Sequence, residues 1–257
     1  MLRLKGDALG GGSVRGQVIL SGADGIQLVT EDEGMRLLSA SGDHLSNSVF
    51  VFRGNPSPDA IMAAIGDPSR ISGCAVIIEH GSAAVAGKVS ELGMAGVSSI
   101  MPDYFKGGDR VKVGGNDGIV EVEDVRAREV VSCLVQSYGK TLILKRSQEV
   151  GSWQGKWAAV SGYIEEGETP METAFKEIRE ELSVANPTLV RKGPPLVTRK
   201  EGIVWISHPF LFNLSGGESE IKIDWEHSDY RWIELSELPG FDIVPGLVRM
   251  ISALGLS

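Results

Sequence analysis

Cysteine is nearly absent from this 257-residue chain: Cys74 and Cys133 are the only two. They stand far apart in apolar runs, which excludes a disulfide framework and a cysteine metal cage. Both read as buried thiols. Positive charge is in deficit, with 25 Lys and Arg against 34 Asp and Glu, a net charge of −9. Neither half is basic, so nucleic acid and anionic membrane are not expected as partners. A small acidic ligand would need a local basic group or a metal. No uninterrupted apolar run reaches the roughly 18 residues that span a bilayer. The opening Met1-Leu2-Arg3-Leu4-Lys5 has no apolar signal core behind it, so the expected location is cytoplasmic. Tandem repeats and low-complexity linkers are also missing.

What remains is an ordinary folded composition, 42% hydrophobic and 23% charged, which excludes a disordered or collagen-like chain. The length allows one large domain or two modest ones. Glycine is abundant at 33 residues, with the excess concentrated before position 125. The first half alternates strand and helix signals. Gln17 to Leu20 and Val49 to Phe52 are β-rich. Ser57 and Pro58 start a helix as N-cap and first helical residue. Cys74 to Ile78 is a continuous apolar run, as in a strand covered on both faces. Ser82 to Leu92 reads as a helix. Arg110 to Val113 and Gly118 to Val122 flank Gly114-Gly115-Asn116-Asp117, a hairpin signal. This order predicts a three-layer or barrel-like α/β domain.

Near Glu123 to Arg126 the pattern restarts. Val130 to Val135 and Thr141 to Leu144 read as strands joined by Tyr138-Gly139-Lys140, and Trp157 to Val160 as another. Thr169 to Val184 reads as a helix and Ile203 to Leu214 as a long β segment closed by Ser215-Gly216-Gly217. Tyr230 to Ile233 follows as a strand and Val244 to Leu254 as a terminal helix. The expected division is 1–125 and 126–257.

The stretch from Gly162 to Val184 carries the chemistry. Thr169-Pro170-Met171-Glu172 has the form of a capping box with Pro at the first helical position. Met171, Ala174, Phe175, Ile178 and Leu182 form an apolar stripe. Glu177, Glu180 and Glu181 fall at i, i+3 and i+4 and share another face. Three adjacent carboxylates repel one another when ionised. A bound divalent cation removes the repulsion, and hard oxygen ligands suit Mg²⁺ or Mn²⁺. Such a cation can bind phosphate oxygens and acidify a water nucleophile. Taken alone, the trio also suits a solvated acidic face.

The whole segment resembles the Nudix hydrolase signature, running Gly162, Glu168, Lys176-Glu177-Ile178, Glu180-Glu181, Ser183-Val184 over 23 residues. The resemblance implies an α/β/α sandwich with a loop–helix–loop metal site that hydrolyses a nucleoside diphosphate linked to another moiety. It implies that Glu177, Glu180 and Glu181 hold the metals with the Gly162 carbonyl nearby, and that Glu168 supports them from the edge. The run Asp224 to Trp232 looks like the family segment before its penultimate strand, which makes Glu226 the candidate further ligand or general base. A solvated loop acid is the alternative for Glu226. Two positions depart from the signature. Lys176 stands where the family has Arg, and a point charge replaces a planar fork, so activity is expected but lower, or the site rearranged. Ser183 stands where Gly would ease a left-handed turn.

Trp153 is the candidate for stacking a base, with packing in the core or at its rim as the alternative, while Trp157 reads as packing. Arg146 and Lys156, with Lys145, are candidates for phosphate contacts, although solvated surface positions explain them equally. His208, in an apolar strand, reads as a satisfied core histidine.

Residues 74–122 resemble the phosphohistidine swivelling domain of phosphoenolpyruvate-utilising enzymes. The carrying residues are Ser82 to Leu92, Gly93 to Val97 and Gly107 to Val120. That family places a His near the start of the helix. Counting back from Glu91-Leu92-Gly93 puts Ala84 there, and Ala has no nitrogen to accept a phosphoryl group. His80, four residues earlier, would have to act from a different place. Gly10-Gly11-Gly12 reads as a flexible turn rather than a phosphate loop.

The expected protein is therefore an α/β chain of two domains, a swivelling-type domain followed by a Nudix sandwich. It is expected to be a Mg²⁺-dependent pyrophosphohydrolase acting on a small nucleotide, with homo-oligomerisation open. The alternative is a nucleotide-binding regulator with a weak or silent site. A diphosphate isomerase on the same scaffold would need a reactive cysteine, and Cys133 lies in an apparent core strand.

Overall fold

The computed structural model describes residues 1–19, 48–65, 73–200, 202–215 and 221–256. The expected strand end at Leu20 and turn at Gly216-Gly217 lie outside them. The chain divides into two compact units, Met1–Ala127 with Thr198–Val204, and Arg128–Val197 with Trp205–Ser257.

The first unit is built on eight strands: β1 (Leu2–Lys5), β2 (Asp7–Gly10), β3 (Ser13–Ile19), β4 (Ser48–Phe52), β5 (Ala75–Ile78), β6 (Ala95–Ser98), β7 (Arg110–Gly114) and β8 (Ile119–Val122). Their order is β1-β8-β7-β3-β4-β5-β6-β2. The two ends of this order, β1 and β2, are separated in the chain by Gly6 alone, so one bent segment pairs with β8 through its first half and with β6 through its second. The β3-β4-β5-β6 run is parallel. Strands β4 and β5 are buried at every position, which explains their continuous apolar sequence.

Helices α1 (Pro58–Ile65) and α2 (Ala83–Glu91) each begin at a serine cap. Ala60 N–H donates to Ser57 Oγ at 3.1 Å and Val85 N–H to Ser82 Oγ at 3.3 Å. The predicted hairpin forms one residue later than expected, with Gly114 paired to Ile119 inside the ladder. Gly11 has a structural purpose. At φ +81° a Cβ there would lie 2.0 Å from the Met94 carbonyl oxygen, so the glycine permits close backbone approach.

The second sheet contains β9 (Arg126–Ser137), β10 (Lys140–Arg146), β11 (Trp157–Ala158), β12 (Val160–Tyr163), β13 (Thr188–Lys192), β14 (Leu196–Lys200), β15 (Ile203–Asn213) and β16 (His227–Ile233). The path β11-β10-β9-β15-β13 is joined by β12 on β9, β14 on β15 and β16 on β10. The β9–β10 turn is Tyr138-Gly139, both with positive φ, as a two-residue hairpin loop requires.

Helices α3 (Pro170–Leu182) and α4 (Leu247–Ala253) cover opposite faces. Val131, Cys133, Val135, Phe210 and Phe212 pack with Ala174, Ile178 and Leu182 of α3. The alternate residues Leu134 and Leu211 pack with Leu247, Met250 and Ile251 of α4. The period-two alternation along β9 and β15 thus separates the two cores. Sheet and helices form a mixed α/β layer structure.

Several sequence expectations need correction. Trp157 to Val160 is two strands, because Trp157–Ala158 pairs with β10 and Val160 onward pairs with β9. Met171 lies off the apolar stripe, 46% exposed. The terminal helix starts at Leu247 rather than Val244. Val244 precedes a proline, which disfavours helical backbone, and its N–H donates to the Trp157 carbonyl instead. His208 is only half satisfied. Its Nε2 lies 2.8 Å from Glu129 Oε2, whereas its buried Nδ1 has no partner.

Candidate active site on helix α3

Helix α3 is fixed at its start by a complete capping box. Thr169 Oγ1 accepts the Glu172 N–H, and Glu172 accepts the Thr169 N–H at 2.8 Å. At its end Ser183 adopts the left-handed conformation, φ 57°, as the departure from glycine anticipated. That conformation costs a non-glycine residue about 1 kcal/mol.

Between the caps, the acidic residues meet strand β12. A Cβ on Gly162 would lie 2.0 Å from the Glu177 carboxyl carbon, so glycine makes room for that carboxylate. Glu181 is 2% exposed. Its Oε1 accepts the Ser161 N–H at 3.2 Å, and its Oε2 is buried without a hydrogen-bond partner. The segment before β16 runs along the end of α3, with Lys222 N–H on the Leu182 carbonyl and Asp224 N–H on the Glu181 carbonyl. This places Asp224, Glu226 and His227 beside the helix. His227 Nε2 lies 3.5 Å from Glu181 Oε2, and its Nδ1 lies 3.3 Å from Asp224 Oδ1.

Electrostatics follow from this crowding. Burial pushes the Glu177 carboxyl up to about 7. Lys176 opposes the shift, and Glu180, Glu226 and Glu168 add to it. Burial raises Glu181 well above the usual carboxylate range. The Ser161 N–H works against that, and Glu226, Glu177 and Asp224 reinforce it. Glu226 is raised by burial and Asp224 and lowered by Arg146. His227 is pushed down by burial, against the pull of Asp224, which favours the neutral ring.

The other expected residues fall in two groups. Glu180 is exposed, although its charge reaches Glu177. Arg146 donates Nε to the Ser152 carbonyl at 2.9 Å, and its charge reaches Glu226. Lys176 grips both oxygens of Glu168 at 2.8 and 3.0 Å, and Thr173 donates to Glu168 at 2.7 Å. Lys176 therefore ties the loop before α3 to the helix. Farther off, Lys156 pairs with Asp242, and Trp157 packs edge-on against Phe241. Trp153 lies in the β10–β11 loop at positive φ, 45% exposed. Cys133 is buried and its thiol is held well above its ordinary value, by burial first and then by Glu181 and Glu177, so it is a poor nucleophile. Sequence reasoning did not assign roles to Asp224 and His227. Their closeness to Glu226 was the available signal.

A divalent cation fits this donor set. Glu181 Oε2 is an orphaned buried oxygen, and other carboxylates crowd around it, so that each favours its protonated form in the absence of a cation. Among the described residues no three such groups already converge as a preformed cage. The match is one of chemistry and proximity. A cavity of about 260 Å³ is lined wholly by first-unit residues, including Arg3, Lys112 and Glu121, and contains none of these carboxylates.

Comparison with known proteins agrees. The family model for the NUDIX domain matches residues 125–254. The nucleoside triphosphatase NudI of Escherichia coli O139:H28 is 30% identical over 144 residues, covering 51% of this chain and 99% of that protein. NudI of Shigella flexneri matches to the same extent. Among solved structures, the MutT protein of Methanosarcina mazei Go1 is 20% identical, covering 51% of this chain and 94% of its own, with a TM-score of 0.44. A C. elegans Ap4A hydrolase is also 20% identical, covering 50% and 96%, with a TM-score of 0.40. The chain belongs to the Nudix family. It is a Nudix-type pyrophosphohydrolase. Enzymes of this family act on small nucleotides and generally use divalent metal ions.

Proposed function

We propose that this enzyme hydrolyses a diphosphate linkage within a nucleoside diphosphate derivative, with Mg²⁺ or Mn²⁺. The observation that carries the reading is the buried, unpartnered Glu181 oxygen among raised carboxylates. Glu177, Glu180, Glu181 and the Gly162 carbonyl would hold the metal. When bound, it offsets phosphate charge and draws electron density from phosphorus. Glu226 accepts the proton of the attacking water, consistent with its raised affinity for protons. A water oxygen bonds to phosphorus, the bridging P–O bond breaks, and the leaving phosphate takes the electron pair. Lys176 positions Glu168 and the loop between β12 and α3.

Nucleoside triphosphates are the first substrates to test, because the E. coli relative is a nucleoside triphosphatase. In this reading residues 126–257 form the hydrolase domain and 1–125 a swivelling-type domain without the phosphorylatable histidine. The separate eight-stranded sheet of the first unit and Ala84 near the start of α2 support that division. The working environment is the cytoplasm, with no nucleic-acid or membrane partner and homo-oligomerisation allowed.

The test is turnover of nucleoside triphosphates, nucleotide sugars, dinucleotides and ADP-ribose with Mg²⁺ and with chelator, read by phosphorus NMR. Chelator-sensitive cleavage between phosphates is the expected result. Binding of the same compounds with no turnover would favour the regulator instead.

A further inference from the structure

Strand β12 presents two faces. Gly162 points toward Glu177 on α3. Alternation then sends the next side chain, Tyr163, to the opposite face. Tyr163 is 53% exposed, and its ring centroid lies 6.1 Å from that of Trp205 on β15, the planes inclined at 43°. The rings are splayed rather than closed face to face. The Arg128 guanidinium sits 5.7 Å from the Tyr163 centroid, so a flat cationic group already fits over this ring. Behind the pair, Ser132 and Ser207 share a hydrogen bond at 2.9 Å and are partly buried. Ser132 is opposite Ser161 in the β9–β12 ladder, two residues from the Val130–Tyr163 pair. One patch of sheet thus combines two aromatic faces, a planar cation and hydroxyls able to donate or accept.

We infer that this patch is the subsite for the nucleobase of the substrate, with Tyr163 as the stacking surface, Trp205 beside it and Arg128 closing over the base. The inference rests on the hydrolase reading above and deepens it. Continuity carries the assignment: Tyr163 directly follows Gly162, whose carbonyl belongs to the proposed metal site. Among the described strands β12 pairs with β9 alone, so the phosphates of a base lying on Tyr163 would pass round its open edge to the carboxylates on the other face. The serine pair offers hydrogen bonds to base edges, and stacking tolerates any base. Trp153, the sequence-based choice for stacking, lies on a loop that does not carry Gly162.

The experiment compares wild type with Tyr163→Leu, Trp205→Leu and Trp205→Phe in the full chain. Titration calorimetry with Mg²⁺ measures ADP, which has a base, and inorganic pyrophosphate, which has none. Loss of stacking is expected to weaken ADP roughly tenfold relative to pyrophosphate in the leucine variants. Trp205→Phe, which keeps a ring, should recover most of the loss. In turnover of ATP, GTP, CTP and UTP, the same variants should raise KM far more than they lower kcat. Equal weakening of ADP and pyrophosphate, or an unaltered ADP affinity in Tyr163→Leu, would overturn the inference. So would a larger ADP loss in Trp153→Leu. Tyr163 is exposed, so its leucine variant is expected to fold, and a circular-dichroism melt checks this. A wild type that binds ADP through Tyr163 but never turns over would sink the hydrolase reading while leaving the base subsite standing.

Discussion

Replacing Glu181 with glutamine should make the protein more stable in chelator and less stable, relative to wild type, in Mg²⁺. In wild type a carboxylate is buried at 2% exposure with one accepted hydrogen bond and an orphaned Oε2. A buried polar group left unsatisfied costs about 1–3 kcal/mol. Repulsion from Glu177 and Glu226 adds to that cost when all are ionised. Glutamine keeps an oxygen for the Ser161 N–H, removes the charge, and turns a neutral amide toward His227. A gain of about 1 kcal/mol raises the melting temperature by about 2–4 °C in a domain of this size. Saturating Mg²⁺ reverses the order, because wild type gains about 2.7 kcal/mol at a hundredfold excess over the Kd and the variant loses this coupling. Melts at pH 8 by circular dichroism, with EDTA and with Mg²⁺, would read both effects. Turnover should fall by at least about 100-fold, since even residues that only support metal ligands cost roughly 10- to 100-fold. A variant that melts several degrees below wild type in EDTA would refute the argument that Glu181 is a strained buried charge. Full activity would remove it from the site.

Other consequences can be checked in the same assays. Glu177 binds its proton more tightly folded than unfolded, with a folded value of about 7 against 4.5. Its contribution to stability is therefore complete below about 4.5 and lost as pH rises through about 7. Metal-free melting temperature should fall across that window and fall less in Glu177→Gln; an identical slope would contradict the assignment. Ser183→Gly should relieve the left-handed backbone and raise the melting temperature by about 2–4 °C without altering kcat; a lower melting temperature would contradict it. Lys176→Met should free Glu168 and lower kcat by roughly 10- to 100-fold, with Lys176→Arg restoring most of it. Activity of the Met variant equal to wild type would show that the Lys176–Glu168 grip does not position the loop.

Local chemistry was legible in the chain. The capping box at Thr169-Pro170-Met171-Glu172 announced the start of α3, and Ser183 marked its strained end, because caps depend on residues within one turn. The tight turn at Tyr138-Gly139 and the serine caps of α1 and α2 are equally local. Edge strands such as β13, with most of its residues exposed, left no hydrophobic pattern to read.

The sequence by itself determined which residues form the acidic helix, and the whole segment from Gly162 to Val184 carried the resemblance to its family. Only the tertiary structure decided what each does there. It buried Glu181, left Glu180 exposed, brought Asp224 and His227 against Glu181 from more than forty positions away, and turned Lys176 toward Glu168. It also set Tyr163 beside Trp205 across strands distant in sequence. Spacing fixes which side chains share a face of one element. Burial, and with it the cost of a charge, depends on which other elements pack against that face.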